Sequence, residues 1–244
     1  MLRFQKLLFT CIFYVSIVWF GITSALISCL PFTARFRYLT LWNRLISFSA
    51  DILLGLRVNV IGAENIPKQA CVVMCKHQSE WETIYLQTLI SPLCTILKVE
   101  LFKIPFFGWA LRQLEPIAIN RSAPKEALRQ VKQQGMLRLD QGRFVLLFPE
   151  GTRVVAGEQR KYARSGADLA LSAATDILPV AHNAGLYWPK GKSSISPGTI
   201  NVVIGELIAT ENKSAKQITQ EVEEWIESHS KELLVNAPAS SLII

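Results

Sequence analysis

His77 and Glu82 stand in the stretch Cys75-Lys76-His77-Gln78-Ser79-Glu80-Trp81-Glu82-Thr83, directly after the apolar run ACVVM. A histidine beside a carboxylate suggests general-base chemistry. The carboxylate accepts the proton of one imidazole nitrogen and leaves the other nitrogen free to take a proton from a substrate. The spacing sets a condition on this. Residues five apart on a continuous helix lie about 140° apart and share no face. The pair can meet only if His77 precedes the helix and Glu82 lies in its first turn, with Ser79 as the N-cap. Glu80 is the rival partner. It sits where a carboxylate satisfies helix N–H groups and the dipole more readily than it reaches back, so geometry favours Glu82.

A base of this kind needs a scaffold that ends a strand at His77, and the surrounding sequence supplies one. Short β-rich runs fall at residues 56–62, 70–76, 94–99, 115–120, 143–148, 176–182 and 200–207. They are separated by segments of helical period. A helix over 124–139 would turn Leu128, Val131 and Leu139 inward. The final one places Ile218, Val222, Trp225 and Ile226 on one face. Alternation at this spacing predicts an α/β fold with a mostly parallel central sheet flanked by helices. In such sheets chemistry collects at the carboxyl ends of the strands. There His77, Asn120-Arg121, the segment Phe148-Pro149-Glu150-Gly151-Thr152-Arg153 and His182-Asn183 all emerge. His182 reads as structural or peripheral, and His229 as a solvated helix residue.

The start of the chain is of another character. No charged residue occurs between Lys6 and Arg35, and the apolar run is long enough to enter or cross a hydrocarbon layer. It exceeds the 7–15 apolar residues usual in a secretory signal. A single span and a segment bent at Gly21 or Pro31 that re-enters one leaflet both fit. Basic residues flank both ends (Arg3 and Lys6; Arg35, Arg37 and Arg44), so charge bias gives no orientation. The expected organisation is a membrane-anchoring helical segment over 1–45, an α/β domain over 46–235 and a tail over 236–244. A net charge of +7 calls for an anionic partner. The scattered basic residues, without interleaved aromatics, suit a lipid surface rather than nucleic acid. Five cysteines without a C-x-x-C pair support neither a disulfide framework nor a zinc site, and Cys75 reads as a buried thiol.

With HQSEWE followed about seventy residues later by FPEGTR, the chain resembles the 1-acylglycerol-3-phosphate acyltransferase family. Its hallmarks are a His-x4-Asp block and a Pro-Glu-Gly-Thr-Arg block. The stretch AINR ending at Arg121, the stretch ILPVAHNAG and the segment KVELFKIPFFGW resemble further family blocks, in the family order, over roughly residues 60–205. One position departs: Glu82 stands where the family has Asp, one methylene longer.

The resemblance implies a membrane-bound O-acyltransferase that acylates the sn-2 hydroxyl of 1-acylglycerol-3-phosphate (lysophosphatidic acid) to give phosphatidic acid. His77 would be the general base and Glu82 its orienting carboxylate. The acyl thioester would be attacked directly, without an acyl-enzyme; no G-x-S-x-G elbow occurs. Backbone N–H groups near the helix start after Gln78 would stabilise the tetrahedral intermediate. Arg121, Arg153 and Lys98 would hold the acceptor's phosphate, and Glu150, Gly151 and Thr152 would shape the acceptor loop. The cosubstrate would be acyl-CoA or acyl carrier protein, with no metal or other cofactor, and the catalytic domain would face the cytosol, where such thioesters occur. Another acceptor, glycerol-3-phosphate or a different lysophospholipid, is the nearest alternative; a non-catalytic lipid-binding protein is an alternative of another class.

Overall fold

The computed structural model describes residues 2–190 and 195–237. Its centre is a seven-stranded sheet of β1 (Leu56–Ile61), β2 (Val72–Cys75), β3 (Leu93–Lys98), β4 (Ile117–Ile119), β5 (Phe144–Leu147), β6 (Ile177–His182) and β7 (Gly198–Ile204), in the order β1-β7-β6-β2-β5-β3-β4. The strands from β6 to β4 run parallel; β7 is antiparallel to β6, and β1 is parallel to β7. The sequence carries this division. Every residue of β2 and β5 is buried, as strands covered on both faces require, whereas β1 and β7 alternate between buried and more accessible positions.

Helices cover both faces. On one lie α1 (Leu2–Leu26), α2 (Phe32–Leu54), α3 (Trp81–Leu89) and α7 (Ala184–Tyr187); on the other lie α5 (Pro124–Asp140), α6 (Ser165–Ser172) and α8 (Ala215–Val235), while α4 (Phe107–Gln113) packs against α1. The buried face of α8 is Ile218, Val222 and Ile226, and a capping box between Ser214 and Gln217 starts it. On α5 the expectation for Leu128 fails. That side chain is exposed, and the buried stripe is Ala127, Val131 and Gly135 at i, i+4 and i+8. At Gly135 the helix meets α6 closely: a Cβ there would fall 2.6 Å from Leu169 Cδ2. The contact selects a small residue at Gly135, while Leu128, two turns nearer the start of the helix, lies on the flank of the stripe, about 60° around from Val131.

The first two helices form an antiparallel hairpin. Trp42 Nε1–H donates to Ser16 Oγ at 2.9 Å, and the Thr23 and Tyr38 hydroxyls bond at 2.6 Å. Of the two positions expected to bend, Gly21 lies within continuous helix and Pro31 stands at the start of α2. Gly21 serves contact instead, since a Cβ there would lie 2.5 Å from Phe106 Cβ. Among the described residues, α1 is the one helix long and apolar enough to cross a membrane. It presents Phe4, Leu7, Tyr14, Val15, Trp19 and Ile22 outward. Its other face packs on the sheet domain, where Phe9 meets Trp188 edge-on at 5.8 Å.

The second helix is clamped to the sheet domain by charge. Arg35 donates to a Glu115 carboxylate oxygen at 2.6 Å and to the Gln113 carbonyl at 3.0 Å, and Arg143 reaches the other Glu115 oxygen at 2.8 Å. Arg143 also lies 3.4 Å from the centroid of the Phe32 ring. The boundary expected between residues 45 and 46 falls inside α2, which runs unbroken to Leu54. Of the expected tail, residues 238–244 lie outside the described residues.

Candidate active site

The ladder of β2 extends one residue beyond the strand, where Lys76 N–H donates to the Val180 carbonyl at 3.1 Å. The chain then leaves the sheet at His77. Two contacts fix that residue's backbone: its carbonyl accepts from Val154 N–H at 2.8 Å, and its N–H donates to Glu150 Oε1 at 3.3 Å. The following helix begins at Trp81, whose N–H donates to Ser79 Oγ at 3.0 Å. Ser79 thus satisfies a first-turn amide, as its residue type suggests, although the residue directly before the helix is Glu80.

Glu82, in the first turn, reaches back. Its Oε1 accepts from His77 Nδ1–H at 2.8 Å, from Gln78 N–H at 2.9 Å and from Ser79 N–H at 2.8 Å. Donation from Nδ1 leaves the Nε2 lone pair free. Phe148 stacks on the imidazole at 3.9 Å between centroids and 14° between planes, fixing its plane. Burial alone would raise the Glu82 pKa. His182 and His77 beside it and the Ser79 N–H outweigh burial and hold the carboxylate below its ordinary range. The Gln78 and Ser79 N–H groups, placed where oxyanion donors were expected, are thus already committed to Glu82.

Behind this dyad the structure is polar and buried. His182 Nε2–H donates to the Lys76 carbonyl at 2.9 Å, its Nδ1 accepts from Ala184 N–H at 3.1 Å, and its Nε2 lies 3.9 Å from Glu82 Oε2. Burial lowers its pKa, against the pull of Glu82. Lys76 is fully buried, with Nζ 2.6 Å from Glu227 Oε1, 3.1 Å from the Glu158 carbonyl and 3.4 Å from Glu150 Oε1. The Tyr162 hydroxyl also donates to Glu227, at 2.8 Å. Sequence reasoning missed this cluster, which ties α8 to the residue before His77. An unbroken apolar-to-polar transition at Met74-Cys75-Lys76 was the one signal for it. His229, expected in solvent, is half-buried against the Trp225 ring at 4.0 Å.

A cavity of 530 Å³ opens in front of His77. Phe13, Ile17 and Phe20 of α1 and Leu39 and Trp42 of α2 form one wall, and Leu97, Leu111 and Leu114 belong to the sheet domain. His77, Lys98, Arg121, Thr152 and Arg153 all line it, so five of the residues expected at the site meet in one space. Burial lowers the Arg121 pKa, and Glu100 opposes that shift. The others expected there are placed differently. Glu82 lies behind His77. Glu150 is buried beneath the loop, where burial pushes its pKa up to about 7 against the pull of Lys76. Gly151 forms the turn with φ of 68°, a left-handed conformation that favours glycine. Glu80, the rival partner for His77, bonds to Arg153 instead. Stacking by Phe148 and the contribution of α1 to the cavity were not foreseen. The i, i+4, i+7 spacing of Phe13, Ile17 and Phe20 was available as a signal for the latter.

The arrangement combines an imidazole with a free nitrogen, several cations suited to a phosphate, and an apolar space suited to a hydrocarbon chain. Among the described residues there is no group of three or more His, Cys, Asp or Glu side chains disposed to hold a metal ion.

Comparison with known proteins is specific. Residues 57–183 match the protein family described as Acyltransferase. A 1-acyl-sn-glycerol-3-phosphate acyltransferase from Pseudomonas aeruginosa is 42% identical over 92% of this chain and 91% of that protein. A yeast protein of the same name, from Saccharomyces cerevisiae, is 30% identical over 68% of this chain and 56% of its own length. Among solved structures, the 1-acyl-sn-glycerophosphate (LPA) acyltransferase PlsC from Thermotoga maritima superposes with a TM-score of 0.79 at 26% identity, covering 98% of this chain and all of that one.

Proposed function

Because the chain belongs to the 1-acyl-sn-glycerol-3-phosphate acyltransferase family and is an O-acyltransferase, we propose that it transfers an acyl group from a thioester to the sn-2 hydroxyl of lysophosphatidic acid, with His77 as general base. His77 Nε2 removes the hydroxyl proton as the oxygen attacks the thioester carbonyl. The tetrahedral intermediate collapses by breaking the C–S bond, and the leaving thiolate takes the proton back from the imidazolium. Glu82 orients the ring through Nδ1 and offsets the charge that develops on it. Arg153, Arg121 and Lys98 bind the phosphate, and Thr152 and Gly151 shape the loop that carries Arg153. Glu150 supports the site from below through the His77 N–H.

The observation that carries this reading is the cavity itself, which has the free imidazole nitrogen and the cations at its polar part and the side chains of α1 and α2 along its apolar part. Acceptor and product are lipids. A cavity walled by a helix whose opposite face is exposed and apolar lets them exchange with a bilayer while a soluble donor, acyl-CoA or acyl carrier protein, approaches from the cytosol. Packing of α1 against the sheet domain favours a hairpin lying in one leaflet over a helix spanning alone.

The test is phosphatidic acid formation by detergent-purified wild type and His77→Ala, with acyl-CoA or acyl carrier protein as donor and lysophosphatidic acid, glycerol-3-phosphate or no acceptor. The expected result is product with lysophosphatidic acid alone and a loss of at least about 100-fold in the variant. Near-wild-type turnover by His77→Ala would remove the mechanism, and acylation of glycerol-3-phosphate in place of lysophosphatidic acid would change the acceptor.

A further inference from the structure

Glu80 lies three residues from the base and lines the same cavity. It directly precedes α3 but makes no capping hydrogen bond with its side chain, and His77 takes its carboxylate partner from Glu82. Its backbone is held by the helix start, where Thr83 N–H and Thr83 Oγ1–H both donate to the Glu80 carbonyl. Its carboxylate pairs through Oε1 with Arg153 Nη1. Both side chains remain partly open to the cavity, at 35% for Glu80 and 29% for Arg153. The other cations that line the space, Lys98, Arg121 and Lys190, are in no ion pair among the described residues. The guanidinium assigned to the phosphate thus carries a carboxylate of the protein's own.

We propose that Glu80 is an internal stand-in for the acceptor's phosphate, and that acceptor binding exchanges the Glu80 carboxylate on Arg153 for a phosphate. This rests on the reading of Arg153 as a phosphate ligand. The exchange is physically easy. A partly exposed ion pair is weak, and a phosphate offers more charge and more oxygen atoms to the guanidinium fork than a carboxylate does. Until then the pair keeps the Arg153 side chain extended toward the cavity. Glu80 also sets a threshold. An acceptor without a phosphate leaves the pair closed, whereas one with a phosphate opens it but then has a displaced carboxylate close to its own negative charge. Glu80 is therefore a specificity-determining residue that weakens apparent affinity for the acceptor while keeping Arg153 from uncompensated charge.

The experiment is a kinetic cycle on the full chain in detergent micelles: wild type, Glu80→Gln, Arg153→Ala and the double variant, at saturating donor, with lysophosphatidic acid varied. Inorganic phosphate is added as an inhibitor competing with the acceptor. The expected result is that Glu80→Gln lowers KM for lysophosphatidic acid and Ki for phosphate together, each by about 2- to 5-fold, while Arg153→Ala raises both. In the Arg153→Ala background the Glu80→Gln effect should shrink. Glu80→Ala, which removes the charge without adding an amide, should move KM in the same direction. A raised or unchanged KM and Ki in both Glu80 variants, with Arg153→Ala still raising them, would overturn the proposal and make Glu80 a buttress of a correctly assigned Arg153. Unchanged acceptor KM and phosphate Ki in Arg153→Ala would instead overturn the phosphate reading, and the stand-in role with it.

Discussion

Replacing Glu82 with Gln separates the charge of the orienting carboxylate from its shape. Glu82 Oε1 accepts three hydrogen bonds between 2.8 and 2.9 Å, from His77, Gln78 and Ser79, while Oε2 has no hydrogen-bond partner among the described residues. The amide oxygen of Gln can take the Oε1 place and keep all three. What disappears is the negative charge facing the imidazolium that forms as the hydroxyl proton is taken. Two unit charges about 4 Å apart at an effective dielectric of about 20 interact by roughly 4 kcal/mol. A transition state that develops most of that charge loses about 3 kcal/mol, or roughly 100-fold in kcat. The Gln NH2 at the Oε2 place is a buried donor without a partner, so a stability loss of about 1–3 kcal/mol should accompany it. Glu82→Asp tests the other half. Withdrawing the carboxylate by one C–C bond, about 1.5 Å, takes it out of reach of His77 or of the two loop N–H groups, and a loss of about 10-fold is expected. The assay is initial-rate phosphatidic acid formation at saturating substrates, with a thermal melt on each protein. A kcat for folded Glu82→Gln within 3-fold of wild type, or a kcat loss larger in Glu80→Gln than in Glu82→Gln, would refute the assignment.

Glu150 gives a pH prediction. Burial raises its pKa from 4.5 to about 7, so between those values the native chain holds a proton that the unfolded chain has released, and its stability falls as pH rises through that window. Melting temperatures at pH 5 and pH 8 should fall more steeply in wild type than in Glu150→Gln; equal slopes would count against it. The clamp on α2 gives another. Arg35→Ala removes the 2.6 Å bond to Glu115 and the 3.0 Å bond to the Gln113 carbonyl. It should cost about 1–3 kcal/mol in stability and lower turnover, because the hairpin walls the cavity. An unaltered melt and unaltered protease sensitivity of the hairpin would show that the clamp carries no such load.

Much of the scaffold was legible because burial leaves a periodic trace. The seven strands fall on seven runs of β-rich residues, and the helix over α5 was found despite a misassigned inward residue. Leu128 misled because hydrophobicity ranks side chains singly, whereas burial depends on which neighbour packs there, and Leu128 lies exposed on the flank of the buried stripe of α5. The relation of His77 to Glu82 was also readable, since it spans only five residues and one helix start. What failed was pairing across the chain. Glu80 with Arg153, Lys76 with Glu227 and Arg35 with Glu115 join residues 73, 151 and 80 positions apart, and several carboxylates were equally available to each cation.

The sequence alone therefore determined the alternation of strands and helices, the apolar character of α1, and the local motif that puts an imidazole beside a first-turn carboxylate. Those are short-range properties, set by backbone period and by neighbours a few residues away. Only the tertiary structure decided that β1 and β7, at one side of the sheet, run opposite to the other strands, that α1 walls the cavity as well as facing outward, and that Arg153 rests on Glu80. Each of these depends on which surfaces meet when distant segments pack, and a linear pattern of residue types does not encode that choice locally.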